Sequence, residues 1–415
     1  MAEPAASLGA SGQQSAGEHA DACAGAPAHA APRIAVVGMS VRSTCGVRDH
    51  ASVLGEALAQ EGVQASMHWL QRGEQSLPAA RREIRAWART LSRELESSPP
   101  AAVLLHYSVF SYSYRGLPLF VRSTLAALHR SRAPLLAFMH ELAYPWRYSG
   151  LRGDVWALTQ RAALVDVMRA SRAVVVTAES RARWLASRRW LPRREVRVAP
   201  VFSNLPDPTR AAPAARTGHT IGIFGYSYEG AAVALVLDAL ALLRERDGEV
   251  RLRLLGAPGR SSSSGEAWVE AARARGLADA LAFSGALPAQ ELSDALGACE
   301  VLLLPDTAGP SSRKGTLAAA LSSGRPLVAL HGRNAWAALI DAQAACVVAP
   351  TPHELARALG VLLGEEDRRE RLGVRGRAFA EREMGVRRSA RTVTSLLAQL
   401  HAGARAETVG ARPPR

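Results

Sequence analysis

The chain has 415 residues, 48% of them hydrophobic and 21% charged, with a formal net charge of +14. This is ordinary globular composition, long enough for two or three domains with their own cores, and it excludes a fibrous or wholly disordered protein. The positive charge is almost all arginine, Lys314 being the only lysine. It reads first as a diffuse surface property and second as attraction to an anionic membrane. No recognisable module interleaves the arginines with stacking aromatics, so nucleic acid is not expected as a partner.

Residues 1–32 are rich in Ala, Gly, Ser and Pro and lack the basic start and apolar run of a secretory signal; a disordered tail is expected. From Arg33, short apolar runs alternate with amphipathic stretches. Strands are predicted at 34–37, 102–105, 135–138, 173–176 and 196–198, with helices at 47–61, 80–96, 117–130, 152–170 and 179–188 between them. Apolar runs without polar alternation suit strands buried on both faces, so 33–202 reads as a Rossmann-like domain with a parallel, doubly wound sheet.

Residues 203–218 hold three prolines and no apolar periodicity, the composition of a linker. The alternation then restarts. Strands are predicted at 220–224, 251–255, 281–284, 301–304, 326–330 and 346–348. Helices are predicted at 229–246, 265–275, 288–298, 315–323, 334–343, 352–364 and 367–400. A second Rossmann-like domain over 219–385 follows, with a disordered tail at 403–415. Folds of this α/β class bind ligands beyond the carboxyl ends of their strands, and the cleft between two such domains is the expected site.

Cys23, Cys45, Cys299 and Cys346 are far apart and form no CxxC or Cys/His ligand spacing, so neither a metal centre nor a disulfide framework is expected. No apolar run approaches the roughly 20 residues that span a bilayer. The cytoplasm is the expected location, with peripheral contact at an anionic membrane as the second expectation.

Three segments carry chemistry. The turn Gly38–His50 is small and polar and feeds a helix start, but it is not GxGxxG; a ligand-binding loop and an ordinary connection are both open. Two strand ends bear side chains suited to sugars. Tyr107 and Tyr112 lie in an aromatic run that either stacks on a sugar ring or packs its own loop. His140 and Glu141 end another strand, where an imidazole can donate to a sugar hydroxyl or share a proton, although a lone His is more often structural.

The strongest segment is Leu304–Ala329. A buried strand runs into a Gly/Pro/Ser loop, a small-residue helix follows, Gly324 stops it, and Pro326 precedes the next strand. Ser311, Ser312 and the free amides about Gly315 and Thr316 form an anion site at a helix start. Arg313 can fork onto a phosphate and Lys314 adds a point charge.

In order and spacing these pieces resemble a family 4 glycosyltransferase of the GT-B fold, over about 33–400. Cys45-Gly46-Val-Arg48-Asp49 resembles the family's acceptor-side loop, and His140 its strand-end residue near the donor sugar. Phe224-Gly225 and Leu254-Leu255-Gly256 resemble its glycine-ended strands. Phe283-Ser284-Gly285 with Leu303-Leu304-Pro305, and Gly324-Arg325-Pro326, resemble its later motifs.

The resemblance implies two Rossmann-like domains facing across a cleft, with helix 386–402 crossing back to the first. It also implies a nucleotide-sugar donor held at Gly225 and Ser311–Thr316, and a glycan, lipid-linked or small-molecule acceptor near Gly46, Arg48, Asp49, Tyr107 and Tyr112. His140 and Glu141 would lie at the reaction centre. Retention of configuration, no obligatory metal and no cofactor follow from the same likeness.

The sequence departs from that pattern twice. The family's two glutamates, with seven residues between them, fall at Ser311 and Ala319, and its diphosphate-holding basic pair falls near Tyr226 and Glu229. Ser312-Arg-Lys-Gly-Thr316 resembles a basic loop that a subset of the family carries in place of the glutamates. Arg313 and Lys314 are therefore expected to neutralise the diphosphate. A non-catalytic sugar-nucleotide-binding protein and a nucleotide-sugar epimerase are the alternatives.

Overall fold

The computed structural model describes residues 31–41, 45–73, 76–147, 150–209, 219–228 and 230–410. Residues 1–30 of the expected N-terminal tail, 210–218 of the expected linker, Glu229 and 411–415 of the expected C-terminal tail lie outside the described residues.

In the first half the order is β1 (Arg33–Ser40), α1 (Gly46–Gln60), β2 (Gln64–Gln71), α2 (Leu77–Ser97), β3 (Ala102–Ser108), α3 (Val121–Arg130), β4 (Leu135–Glu141), α4 (Gly150–Ala170), β5 (Ala173–Val176), α5 (Glu179–Ala186) and β6 (Glu195–Val198). The strands form one sheet in the order β2-β1-β3-β4-β5-β6, every pair parallel. Successive residues of β1 serve opposite faces, as a pleated strand requires. Ile34 and Val36 pack with Leu54 and Leu58 of α1, while Ala35 and Val37 pack with Leu91 and Leu95 of α2.

Strand β2 is absent from the sequence expectation. Its sequence, Gln-Ala-Ser-Met-His-Trp-Leu-Gln, is half exposed on a sheet edge and carries no unbroken apolar run. The strand seats Trp69 against β1 only because Gly38 has no side chain: a Cβ there would fall 2.1 Å from the indole.

The second half runs β7 (Thr220–Phe224), α6 (Gly230–Arg244), β8 (Arg251–Leu255), α7 (Ser263–Arg273), β9 (Leu281–Gly285), α8 (Ala289–Gly297), β10 (Val301–Leu304), α9 (Gly315–Ser322), β11 (Leu327–Leu330), α10 (Ala337–Asp341), β12 (Cys346–Val348), α11 (Pro352–Gly364), α12 (Glu366–Glu383) and α13 (Val386–Gly410). The sheet order is β12-β11-β10-β7-β8-β9, again all parallel. Each sheet reverses its winding at one place: between β1 and β3 in the first and between β7 and β10 in the second. Loops on either side of such a reversal diverge and leave a crevice at the carboxyl edge.

Two connections join the halves. Residues 199–209 leave β6, bury Phe202 under the first sheet, and reach α8, where Thr209 donates its backbone N–H to Asp294 Oδ1 at 2.7 Å. The single expected helix 367–400 is two helices, broken at Met384-Gly385, and α13 continues through Gly410 into the stretch expected as a disordered tail. Gly385 sits where a Cβ would lie 2.6 Å from the Glu381 carbonyl oxygen. Beyond the break, Ala390, Val393, Leu396 and Leu397 pack into the core of the first sheet beside α1.

Helix α9 is buried along nearly its whole length, Leu317 through Leu321. Its small side chains let α12 approach closely, and a Cβ on Gly373 would fall 2.1 Å from the Gly324 carbonyl oxygen. Gly373→Ala is therefore expected to destabilise the fold by about 1–3 kcal/mol, as overpacking does, measured as a lower urea midpoint with an unchanged slope.

Candidate functional site

The loop joining β10 to α9 is fixed before it meets any ligand. Asp306 Oδ1 accepts from the Ala308 N–H at 2.9 Å and the Asp306 carbonyl from Gly309 N–H at 2.8 Å, an Asx-type turn. Gly309 (φ 95°) and Gly332 pack backbone against backbone, and Trp336 N–H donates to the Pro310 carbonyl at 2.8 Å. A side chain on either glycine would collide with the opposite chain, which is why small residues recur there.

The same loop docks on the first half. Ser312 is buried; its hydroxyl donates to the Thr177 carbonyl just beyond β5, at 2.9 Å, and its own carbonyl accepts from Val201 N–H at 2.8 Å. Arg313 Nη1 lies 3.0 Å from Glu141 Oε1 at the end of β4, while Arg181 of α5 holds Glu141 Oε2 at 2.7 Å. Arg181 also donates to the His140 carbonyl. Burial, opposed by Glu141 and reinforced by Arg313, lowers the Arg181 pKa from its usual value. Lys314 pairs with Asp306 Oδ2. Facing this loop across the reversal between β7 and β10, Gly225 (φ 68°) lies so near Thr316 that a Cβ would come within 3.3 Å of its methyl. Gly225, Arg313, Lys314, Gly315 and Thr316 thus share one crevice at the carboxyl edge, against His140 and Glu141 from the first sheet.

Several expectations change on contact with these positions. Tyr107 and Tyr112 are 0% and 1% exposed, in the core beneath the first sheet, with the Tyr112 hydroxyl on the His106 carbonyl at 3.2 Å. They pack the fold and are closed to an acceptor; Phe110, from the same run, is the exposed ring. Ser311 is also buried, and the Ser312 hydroxyl is spent on Thr177, so neither hydroxyl is presented to an anion. Both oxygens of Glu141 are taken by guanidinium groups, which makes it a counter-ion rather than a proton acceptor. Tyr226 is buried with its hydroxyl accepting from Gly259 N–H at 2.6 Å, so that position supplies no cation. Gly46, Arg48 and Asp49 open α1, with the Gly46 carbonyl accepting from Asn204 at 3.3 Å and Arg48 reaching Gln71 at 3.2 Å.

Arg181, Thr177 and Asp306 were not singled out from sequence. Asp306 had a legible signal, an acid just past a buried strand. Arg181 had none, because its partner lies 40 residues back in the chain and only the fold joins them.

Beside this crevice, His50, His106 and His140 come together at the reversal of the first sheet. His106 Nδ1 and His140 Nε2 are 3.0 Å apart, and His50 stacks on Phe202 with centroids 4.1 Å apart. Burial holds all three well below the usual imidazole range, His106 to about 3, with neighbouring charge from His50, His106 and Arg181 adding to the effect at His140. A cavity of about 1370 Å³ opens elsewhere, at the amino edge of the first sheet among Arg122, Arg132, Arg172 and Arg194. Chains of this α/β class place ligands at the opposite edge, so the crevice at Arg313 is the better site.

The family described as glycosyl transferases group 1 matches residues 218–365. Among solved structures, the fold is similar to sucrose-phosphate synthase from Thermosynechococcus elongatus, with a TM-score of 0.66 and 16% identity over 89% of this chain and 100% of that one. It is also similar to Anabaena HepE in complex with UDP-glucose (TM-score 0.64, 14% identity, 89% and 99% covered) and to WaaG, a glycosyltransferase involved in lipopolysaccharide biosynthesis (TM-score 0.60, 15% identity, 87% and 99% covered). Comparison with curated proteins finds no match. The fold is GT-B, and the family match falls within the second half.

The buried histidines make stability depend on acid. A lowered folded-state pKa means that the unfolded chain binds the proton first, so the stability is full above pH 6.5 and is lost as pH falls from there toward 3. Each fully buried imidazole steepens that loss by about 1.4 kcal/mol per pH unit. Thermal melts between pH 7 and pH 5, above the range where carboxylates titrate, should show a shallower decline for His106→Phe than for the unaltered chain.

Proposed function

We propose that this protein transfers a sugar from a nucleotide-diphosphate sugar to a glycan, lipid-linked or small-molecule acceptor. The observation that carries this reading is the pair Arg313 and Lys314 at the start of α9, facing the cleft at the reversal between β7 and β10. There the donor's diphosphate displaces Glu141 from Arg313 and draws Lys314 away from Asp306, which the turn holds in place. The helix start and the two cations then take up the charge that grows on the leaving diphosphate. Gly225 gives the phosphates backbone access, and His140, neutral and half-buried, steers the transferred sugar. Gly46, Arg48 and Asp49 face the acceptor. Arg313 and Lys314 fill the place at the diphosphate that a metal takes in other phosphoryl sites, and the transfer retains the anomeric configuration. HepE was crystallised with UDP and with UDP-glucose, which supports a uridine nucleotide as the first donor to try.

The absent glutamate pair favours one competing reading, a GT-B protein that binds a sugar nucleotide without transferring it. Ser311 and Ala319, where those acids would stand, are 5% and 4% exposed and bring no carboxylate to the cleft. A donor at 100 times its dissociation constant should stabilise the chain by about 2.7 kcal/mol in thermal melts. The double variant Arg313→Ala, Lys314→Ala should lose most of that gain. Undiminished donor binding by the variant would overturn the diphosphate assignment, and binding without transfer to any acceptor would favour the non-catalytic reading.

The reading extends to the cytoplasmic face of an anionic membrane. Leu151, Val155 and Leu158 form one face of α4 and are 87%, 52% and 62% exposed, beside exposed Trp146 and the basic Arg152. An apolar stripe edged by aromatic and basic side chains suits an interface of lipid and water. Leu151→Glu with Leu158→Glu should release the protein from vesicles of anionic lipid in co-sedimentation while leaving donor binding intact.

A further inference from the structure

We propose that His50, His106 and His140 form a binding site for a divalent transition-metal ion of the zinc class, tying α1 to β3 and β4 at the reversal of the first sheet. One ring nitrogen from each lies within 4.8 Å of the others. His50 and His106 are 2% and 1% exposed, yet His50 Nδ1, His50 Nε2 and His106 Nε2 have no hydrogen-bond partner. A buried polar atom left unpaired is destabilising, and native chains rarely tolerate several in one place. A ligand that uses lone pairs, one from each imidazole, accounts for part of these orphan nitrogens.

The donor set selects the ion. Three imidazoles without carboxylates suit zinc, nickel or copper and not magnesium or calcium, which take oxygen. Zinc–nitrogen bonds of 2.0–2.1 Å in a tetrahedral site put ligand nitrogens roughly 3.3 Å apart. One nitrogen of each ring already lies within 4.8 Å of the others, against that spacing. The surrounding rings, Phe138 and Phe202, keep the imidazoles neutral and therefore ready to coordinate, and the nearby Arg181 charge is answered by Glu141. The ion orders the start of α1, where Gly46, Arg48 and Asp49 lie; it shares His140 with the wall of the crevice, and the inference does not rest on the proposed transfer.

The test uses the full chain without a histidine tag, stripped with chelator and then titrated with zinc sulfate. One equivalent of zinc surviving gel filtration is expected, and cobalt in its place should give the intense visible bands of a four-coordinate site. His50→Phe, which keeps a ring between Phe138 and Phe202, should weaken zinc binding at least tenfold while its circular dichroism stays unchanged. Less than a tenth of an equivalent retained by the unaltered chain would overturn the proposal and leave the orphan nitrogens to a buried water. Equal binding by His50→Phe would overturn it too, by placing the zinc elsewhere.

Discussion

The arrangement of the cleft depends on one short stretch of backbone. Val201 N–H donates to the Ser312 carbonyl and the Ser312 hydroxyl to the Thr177 carbonyl, so the loop before α9 is held from both sides by the first half. These bonds are buried, where their loss would leave unpaired groups in an apolar setting. Together with the Arg313–Glu141 pair, the connecting segment and the returning helix, they hold the two sheets in place. Everything placed in the crevice, the pair of cations on one side and the β4 strand end on the other, inherits its position from that contact.

The charges follow the same logic. Arg313 belongs to the second half and Arg181 to the first, and Glu141 lies between them. Without Glu141 the two guanidinium groups would repel one another across the cleft. With it, each guanidinium has one carboxylate oxygen as its partner. Asp306 does the equivalent for Lys314, and because its other oxygen fixes the turn, that carboxylate cannot swing far. Loop shape and loop charge are therefore coupled.

Much of the fold was legible because doubly buried parallel strands leave an unambiguous trace. Val301–Leu304 and Ala173–Val176 are unbroken apolar runs and appear as strands at those residues. Gln64–Gln71 left no such trace, since an edge strand may be polar on its open side and here is anchored by one tryptophan over one glycine. The helix break at Gly385 was hidden by helix-forming residues on both sides. At the site, local motifs located the Ser311–Thr316 loop, but they overvalued hydroxyls: Ser311, Ser312, Tyr107 and Tyr112 look like ligand contacts by type and are consumed by packing. The histidine cluster was invisible because its members come from α1, β3 and β4, separated by 56 and 34 positions of chain, and only sheet order brings them together.

The strength of the Arg313–Glu141 pair decides what kind of ligand the crevice can select. Arg313 and Glu141 side chains are 35% and 39% exposed, and a pair so open to water contributes about 0–1 kcal/mol. A single carboxylate or monophosphate would exchange one weak pair for another and gain little. A diphosphate bridging Arg313, Lys314 and the amides that open α9 makes several charge-assisted bonds for each one it breaks. In the proposed reading a displaced Glu141 keeps Arg181, the more buried of its two partners, and so remains neutralised on its own side of the cleft. In the proposed reading the internal acids act as a threshold: they pair with the cations, and only an anion that engages both cations at once draws them away.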